Sequence, residues 1–143
     1  APLCGKWSVY SIDGALQRIM EQGVSPEKMV LGLPLYGYLY ENTDGHNAAI
    51  DKNNKIKTIA YHVIKTKFLE NPAYAKKWNE YEKVPSLYSE SDRTFISYDG
   101  KDSLIAKVEF AKKKKLQGVV LWRLSGDDAQ HSMVNLITKT MEY

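Results

Sequence analysis

One cysteine, Cys4, stands in 143 residues, so no disulfide closes within the chain and a cystine-stapled scaffold is excluded. No apolar run approaches the length of about 18 to 20 residues that a membrane-spanning helix needs. Neither sign of charge dominates: 20 Lys and Arg against 17 Asp and Glu leave a net +3, too weak a field to mark a nucleic-acid binder. The first residues lack the charged, apolar and small-residue order of a signal peptide. Internal repeats and low-complexity tracts are missing too. Cys4, His46, His62 and His131 show no metal-ligand spacing, and Asp51-Lys52-Asn53-Asn54-Lys55 has a lysine where a calcium loop needs an oxygen. No metal and no cofactor is expected.

A hydrophobic fraction of 43% with 26% charged residues describes a globular domain of ordinary size. Ten tyrosines, three tryptophans and three phenylalanines provide flat amphipathic rings, which suit carbohydrate faces and equally the core and rim of a small α/β protein.

The first helix signal runs from Ile12 to Gln22, with Ala15, Leu16, Ile19 and Met20 on one buried face, Ser11 or Asp13 as cap and Gly23 as stop. Ser25-Pro26-Glu27-Lys28 reads as a short helical turn. Met29 to Tyr36 is a nearly continuous apolar run, the pattern of a strand covered on both faces, whose regular pairing ends near Pro34. From Tyr38 to Lys57 the Asn, Asp and Gly residues predict a loop or insertion. Thr58 is placed to cap a helix carrying Tyr61, Ile64 and Phe68, which Asn71-Pro72 stops. Segments 78–81, 84–88 and 94–98 read as short strands of an antiparallel unit.

Asp99-Gly100-Lys101-Asp102 supplies a turn and a carboxylate at the start of a helix with Leu104, Val108 and Ala111 inward. Its final run, Lys112 to Lys115, is read as a solvated face favoured by the helix dipole rather than a phosphate patch. Gly118 to Ser125 is a second buried strand, and Met133, Leu136, Ile137 and Met141 mark a last helix. Strand and helix alternation argues for parallel β/α units. Two parallel strands do not bury both faces of a sheet, so more strands are expected elsewhere or the chain is part of something larger.

Sites in β/α barrels form at the C-terminal strand ends, here Tyr36-Gly37-Tyr38 and Trp122 to Asp128. Two readings stay open for Trp122: a core residue, or an apolar floor rimmed by Arg123 and Ser125 to Asp128. For Asp127 the helix cap is favoured.

The stretches Asp13-Gly14-Ala15-Leu16, Ser25 to Gly37, Val84-Pro85-Ser86-Leu87-Tyr88, Phe95-Ile96-Ser97-Tyr98-Asp99 and Gly118 to Asp128 resemble, in order and spacing, the C-terminal part of family eighteen glycoside hydrolases, the chitinases. The resemblance spans Ile12 to the last helix. It implies an α/β architecture: a partial (β/α)8 TIM barrel, strands seven and eight with flanking helices, plus an inserted small α+β unit. The implied segments are barrel 1–38, insertion 39–92 and barrel 93–143.

By that resemblance Trp122 is similar to the tryptophan beneath the sugar at the cleavage subsite, and Tyr36 to the tyrosine that lines the groove after strand seven. Where the family often has an arginine two residues later, this chain has Tyr38, an aromatic contact in place of a charged one. The implied reaction is substrate-assisted retaining hydrolysis of β-1,4-linked N-acetylglucosamine polymers, outside the two-carboxylate scheme. Its acid, the glutamate of an Asp-x-x-Asp-x-Asp-x-Glu motif, has no counterpart in these residues, so no catalytic residue is assigned and the chain alone is expected to be inactive. The implied partners are chitin or N-acetylglucosamine oligosaccharides and the N-terminal part of the same barrel. The chain alone is expected either to associate with copies of itself through open strand edges or to keep only the insertion unit well ordered, with no nucleic acid or membrane as partner. The resemblance favours a secreted or extracellular protein. The alternative is a non-catalytic chito-oligosaccharide-binding lectin of the same fold.

Overall fold

The computed structural model describes residues 1–5 and 10–142. Helix α1 (Ile12–Glu21) begins where the Ser11 hydroxyl accepts the Gly14 N–H at 3.1 Å, a helix N-cap that satisfies one otherwise orphaned donor. Only Leu16 of its expected apolar face is buried. Ile19 and Met20 stay exposed. A single 3-10 turn, Pro26–Lys28, leads into β1 (Val30–Pro34).

β1 pairs in parallel with β7 (Gly118–Trp122), with Gly32 opposite Val120 and Pro34 opposite Trp122. One face of this pair presents Leu31, Leu33, Val119 and Leu121 to the core, where α3 (Lys101–Lys113) and α4 (Ser132–Met141) supply Leu104, Val108, Met133 and Ile137. Each such side chain, fully buried, contributes about 1.5–3 kcal/mol. The other face is bare, leaving Val30 and Val120 exposed. The pattern of a strand covered on both faces is thus met on one face only in this chain.

The expected apolar strand 29–36 is broken at Leu35. Beyond it the chain turns into a second sheet of five antiparallel strands in the order β3-β2-β6-β5-β4. These are β2 (Tyr36–Glu41), β3 (Lys55–Ala60), β4 (Ala75–Asn79), β5 (Val84–Ser89) and β6 (Thr94–Tyr98). The loop expected over 38–57 is therefore confined to residues 42–54, and the antiparallel unit has two strands more than the sequence pattern suggested. Thr58 does not cap a helix. It lies in β3 opposite Tyr38, and helix α2 (Tyr61–Ile64) starts three residues later and widens into a π turn, Lys65–Leu69.

One face of the five-stranded sheet packs Leu39, Leu87 and Ile96 against Tyr61 and Ile64. Gly37 is required there: a Cβ would lie 2.6 Å from the Ser97 carbonyl oxygen and 2.8 Å from Ile64. At the return to α3, Asp99 pairs with Lys107, and both side chains are wholly enclosed. Lys107 was not expected on the inner side of α3. It is tolerated because Asp99, also bonded by the Ser103 hydroxyl at 2.8 Å, neutralises it. The lysine run is a solvated face only in part: Lys113 and Lys115 are exposed, while Lys112 and Lys114 are half-buried, Lys112 donating to the Thr140 carbonyl at 3.0 Å and Lys114 pairing with Asp13 at 3.0 Å.

Candidate functional site

Leu35 joins the two sheets. Its N–H donates to the Trp122 carbonyl at 2.9 Å, extending the parallel pair by one bond, and its own carbonyl accepts the Tyr61 N–H at 2.9 Å. The side chain of Leu35 is buried. The two residues on either side of this joint belong to different sheets, so the end of β7 and the start of β2 meet at an angle and enclose a cleft.

That cleft, about 450 Å³, is lined by Leu35, Tyr36, Tyr38, Thr58, Ala60, Trp122, Arg123 and Gly126. Successive side chains of a strand alternate faces, which places Tyr36 and Tyr38 together on the open face of β2. Their rings meet edge to face, 5.8 Å between centroids at 85°. Trp122 ends β7 on the bare face and is 68% exposed. Of the two readings left open for Trp122, the core reading does not hold in this chain. The three aromatic residues expected to bind substrate thus line one cleft. The peptide bond from Trp122 to Arg123 is cis, and a 3-10 turn, Leu124–Gly126, folds back so that Gly126 rests on Leu35.

The two carboxylates nearest in sequence are committed elsewhere. Asp127 accepts from the N–H groups of Met133 (3.1 Å) and Val134 (2.9 Å), capping α4 as favoured from the sequence. Asp128 accepts from the Ser132 N–H at 2.9 Å and from the Lys65 ammonium at 2.6 Å, tying the five-stranded sheet's helix to the loop after β7. Burial alone raises the Asp128 pKa, but the bonds from Lys65 and Ser132 outweigh it and hold the carboxyl well below the ordinary range. Tyr61, beneath them, is pushed up to about 12 by burial and by the Asp128 and Asp127 charges. The Tyr36 phenol is raised by burial and then by its neighbour Tyr38. Among the described residues no Asp or Glu lines the cleft. It offers aromatic faces, hydroxyls and one guanidinium, groups whose chemistry suits the apolar face and hydroxyl rim of a sugar ring.

Thr58 and Ala60 reach this cleft only because β3 pairs with β2, which the sequence pattern did not reveal. The signal present was the alternation Lys55-Ile56-Lys57-Thr58-Ile59-Ala60, the period of a half-covered strand. Among the described residues no group of three or more His, Cys, Asp or Glu is placed to hold a metal ion, and no helix is long and apolar enough to cross a membrane.

A fold of this kind, with an aromatic cleft at the end of a parallel strand pair, has clear relatives. The family model described as glycosyl hydrolases family 18 matches residues 1–127. The chain belongs to glycosyl hydrolase family 18. Class V chitinase CHIT5a of Medicago truncatula is 33% identical over 134 residues, covering 89% of this chain and 34% of the relative. Chitinase A1 of Niallia circulans is 29% identical over 129 residues, covering 84% of this chain and 18% of the relative. Among solved structures, chitinase ChiW from Paenibacillus sp. str. FPU-7 superposes with a TM-score of 0.88 at 27% identity, over 100% of this chain and 18% of that one. The chain therefore spans about a third or less of the length of these relatives.

Proposed function

We propose that this chain is the part of a chitinase-type hydrolase that forms the floor and one wall of the substrate groove. It corresponds to barrel strands seven and eight, with segments 1–38 and 93–143 in the barrel and 39–92 as the insertion. The substrate is a β-1,4-linked N-acetylglucosamine polymer. Trp122 lies under the sugar ring at the cleavage point, and Tyr36 and Tyr38 contact the sugar from the wall. The proton donor for substrate-assisted retaining hydrolysis is supplied by the rest of the barrel, and the whole protein acts outside the cell.

The observation that carries this reading is the meeting of Trp122, Tyr36 and Tyr38 in a cleft without a carboxylate. The names of the three relatives cited above, each a chitinase, support the choice of sugar. Among the described residues β1 and β7 pair only with each other, so each has an outer edge with no strand beside it; this supports a sheet continued by further strands, since each backbone group buried there without a partner costs about 1–3 kcal/mol. The chain alone is accordingly expected to self-associate through those edges at micromolar concentration and to release no sugar from chitin oligomers.

The test is binding of N-acetylglucosamine oligomers to the full-length protein and to its Trp122→Ala variant by calorimetry. Loss of the stacked indole is expected to weaken binding by about 1–3 kcal/mol. Equal affinity of the two proteins would return Trp122 to a packing role. Tight, Trp122-dependent binding by a full-length protein that never cleaves the oligomer identifies the lectin alternative.

A further inference from the structure

The open face of the five-stranded sheet carries a second and larger cleft, about 640 Å³, that the groove around Trp122 does not include. Register defines its floor. Tyr38 pairs with Ser97, and Ser97 with Ser86, so these side chains form a row across β2, β6 and β5 at strand spacings of about 5 Å. In the next row Tyr40 meets Phe95, with ring centroids 5.9 Å apart. The hydroxyls of Ser86 and Ser97 make no hydrogen bond among the described residues, and both are half-buried on this floor.

Two fastened walls enclose it. On one side, loop 42–54 folds over the sheet: a Cβ added to Gly45 would lie 3.5 Å from the Tyr88 ring, Arg93 pairs with Asp44 at 2.8 Å, and the exposed His46 ring meets Phe95 edge to face at 5.9 Å. On the other side the turn between β4 and β5 is tied by Asn79, whose side-chain oxygen accepts the N–H groups of Tyr81 (3.1 Å) and Glu82 (2.9 Å). This turn holds the Tyr81 ring, 53% exposed, at the cleft's rim. Flat rings beside unspent hydroxyls, in a half-enclosed hollow of a volume typical of small-ligand sites, match the alternation of apolar face and hydroxyl rim on a pyranose.

We propose that this cleft is a second carbohydrate site, separate from the Trp122 groove and taking one or two N-acetylhexosamine units. The choice of sugar rests on the proposed function, since Tyr38 of the first cleft is the register partner of Ser97 of the second and the two clefts share one sheet face. A neutral sugar fits this lining because its two carboxylates are engaged, Glu80 by Lys83 at 2.8 Å and Glu82 by the Asn79 amide at 3.1 Å, and Lys77 is its one lysine among rings and hydroxyls.

The experiment is a stoichiometric titration of the full-length protein with the disaccharide N,N′-diacetylchitobiose, read by calorimetry and by amide NMR shifts. The wild-type protein is expected to bind two disaccharides and Trp122→Ala one. Ser86→Leu, which fills the floor, is expected to retain only the Trp122 site. Tyr81→Ala, at an exposed turn that does not endanger folding, is expected to weaken the second site roughly three- to tenfold. One disaccharide per wild-type chain, lost in Trp122→Ala, overturns the second site and leaves the proposed function standing. Two bound disaccharides with Tyr81→Ala and a folded Ser86→Leu both unchanged also overturn it. No binding by the wild-type protein overturns the proposed function itself.

Discussion

Gly126 sits so close to the backbone of Leu35 that a Cβ added to it would lie 2.1 Å from the Leu35 carbonyl oxygen. The obstructing atom is backbone and is itself held by the Tyr61 N–H, so it has no rotamer to escape into. The floor and wall of the cleft are close because this one residue has no side chain. Gly126→Ala is expected to push the 3-10 turn off Leu35 and destabilise the full-length protein by about 1–3 kcal/mol, the range for forced overpacking. Urea unfolding with an unchanged midpoint would contradict this.

The enclosed Lys107–Asp99 pair leads to an asymmetric expectation. Lys107→Met strands the Asp99 charge in the core and is expected to cost about 3–5 kcal/mol, whereas Lys107→Met with Asp99→Val removes both charges and recovers most of the loss. A double variant no more stable than the single one in the same denaturation assay would show that the pair is not the cause.

Acid should loosen the tie between the two sheets. The folded-state pKa of Asp128 is depressed by Lys65 and Ser132 against the opposing effect of burial. Its contribution to stability is therefore present above the ordinary aspartate range, about pH 4, and is lost as pH falls through the lower folded value. Asp128→Asn should flatten the acid limb of the stability profile below about pH 4 relative to wild type. Thermal unfolding from pH 2 to 7 reads the difference, and parallel profiles would refute it.

At the wall of the cleft the two tyrosines are expected to differ. Tyr36→Phe keeps the ring that meets Tyr38 and removes one hydroxyl, and should weaken oligosaccharide binding by about 0.5–1.5 kcal/mol. Tyr38→Ala removes an exposed ring from the cleft together with its edge contact to Tyr36, and should cost more than Tyr36→Phe in the same titration. The reverse ranking would place the sugar away from the wall.

Much of this arrangement could be read from residue order. The caps were legible as short oxygen-bearing side chains ahead of periodic apolar runs: Ser11 or Asp13 before the first helix, where the structure uses Ser11, and Asp127 ahead of the last, where it reaches the helix from five residues upstream. The Gly32 and Val120 segments showed themselves as parallel neighbours because both were apolar and separated by helices. Parity alone marks two faces of a strand without saying which one is covered, so the exposure of Val120 and Trp122 needed coordinates. β2 and β3 were obscured by the Asn- and Asp-rich turns between them, and Thr58 followed into the wrong element. Lys107 gave no local sign of burial: its partner Asp99 lies two helical turns away and belongs to the segment before the helix.

Because a single residue separates the parallel pair from the antiparallel sheet, the spacing between Pro34 and Tyr36 acts as a parity lock. Inserting one amino acid there, with β2 slipping by one residue against β3 and β6, exchanges inside for outside: the phenols of Tyr36, Tyr38 and Tyr40 would be driven toward Ile64 and the positions of Gly37 and Leu39 toward water. Duplications and deletions at this joint are compatible with the cleft only in steps of two.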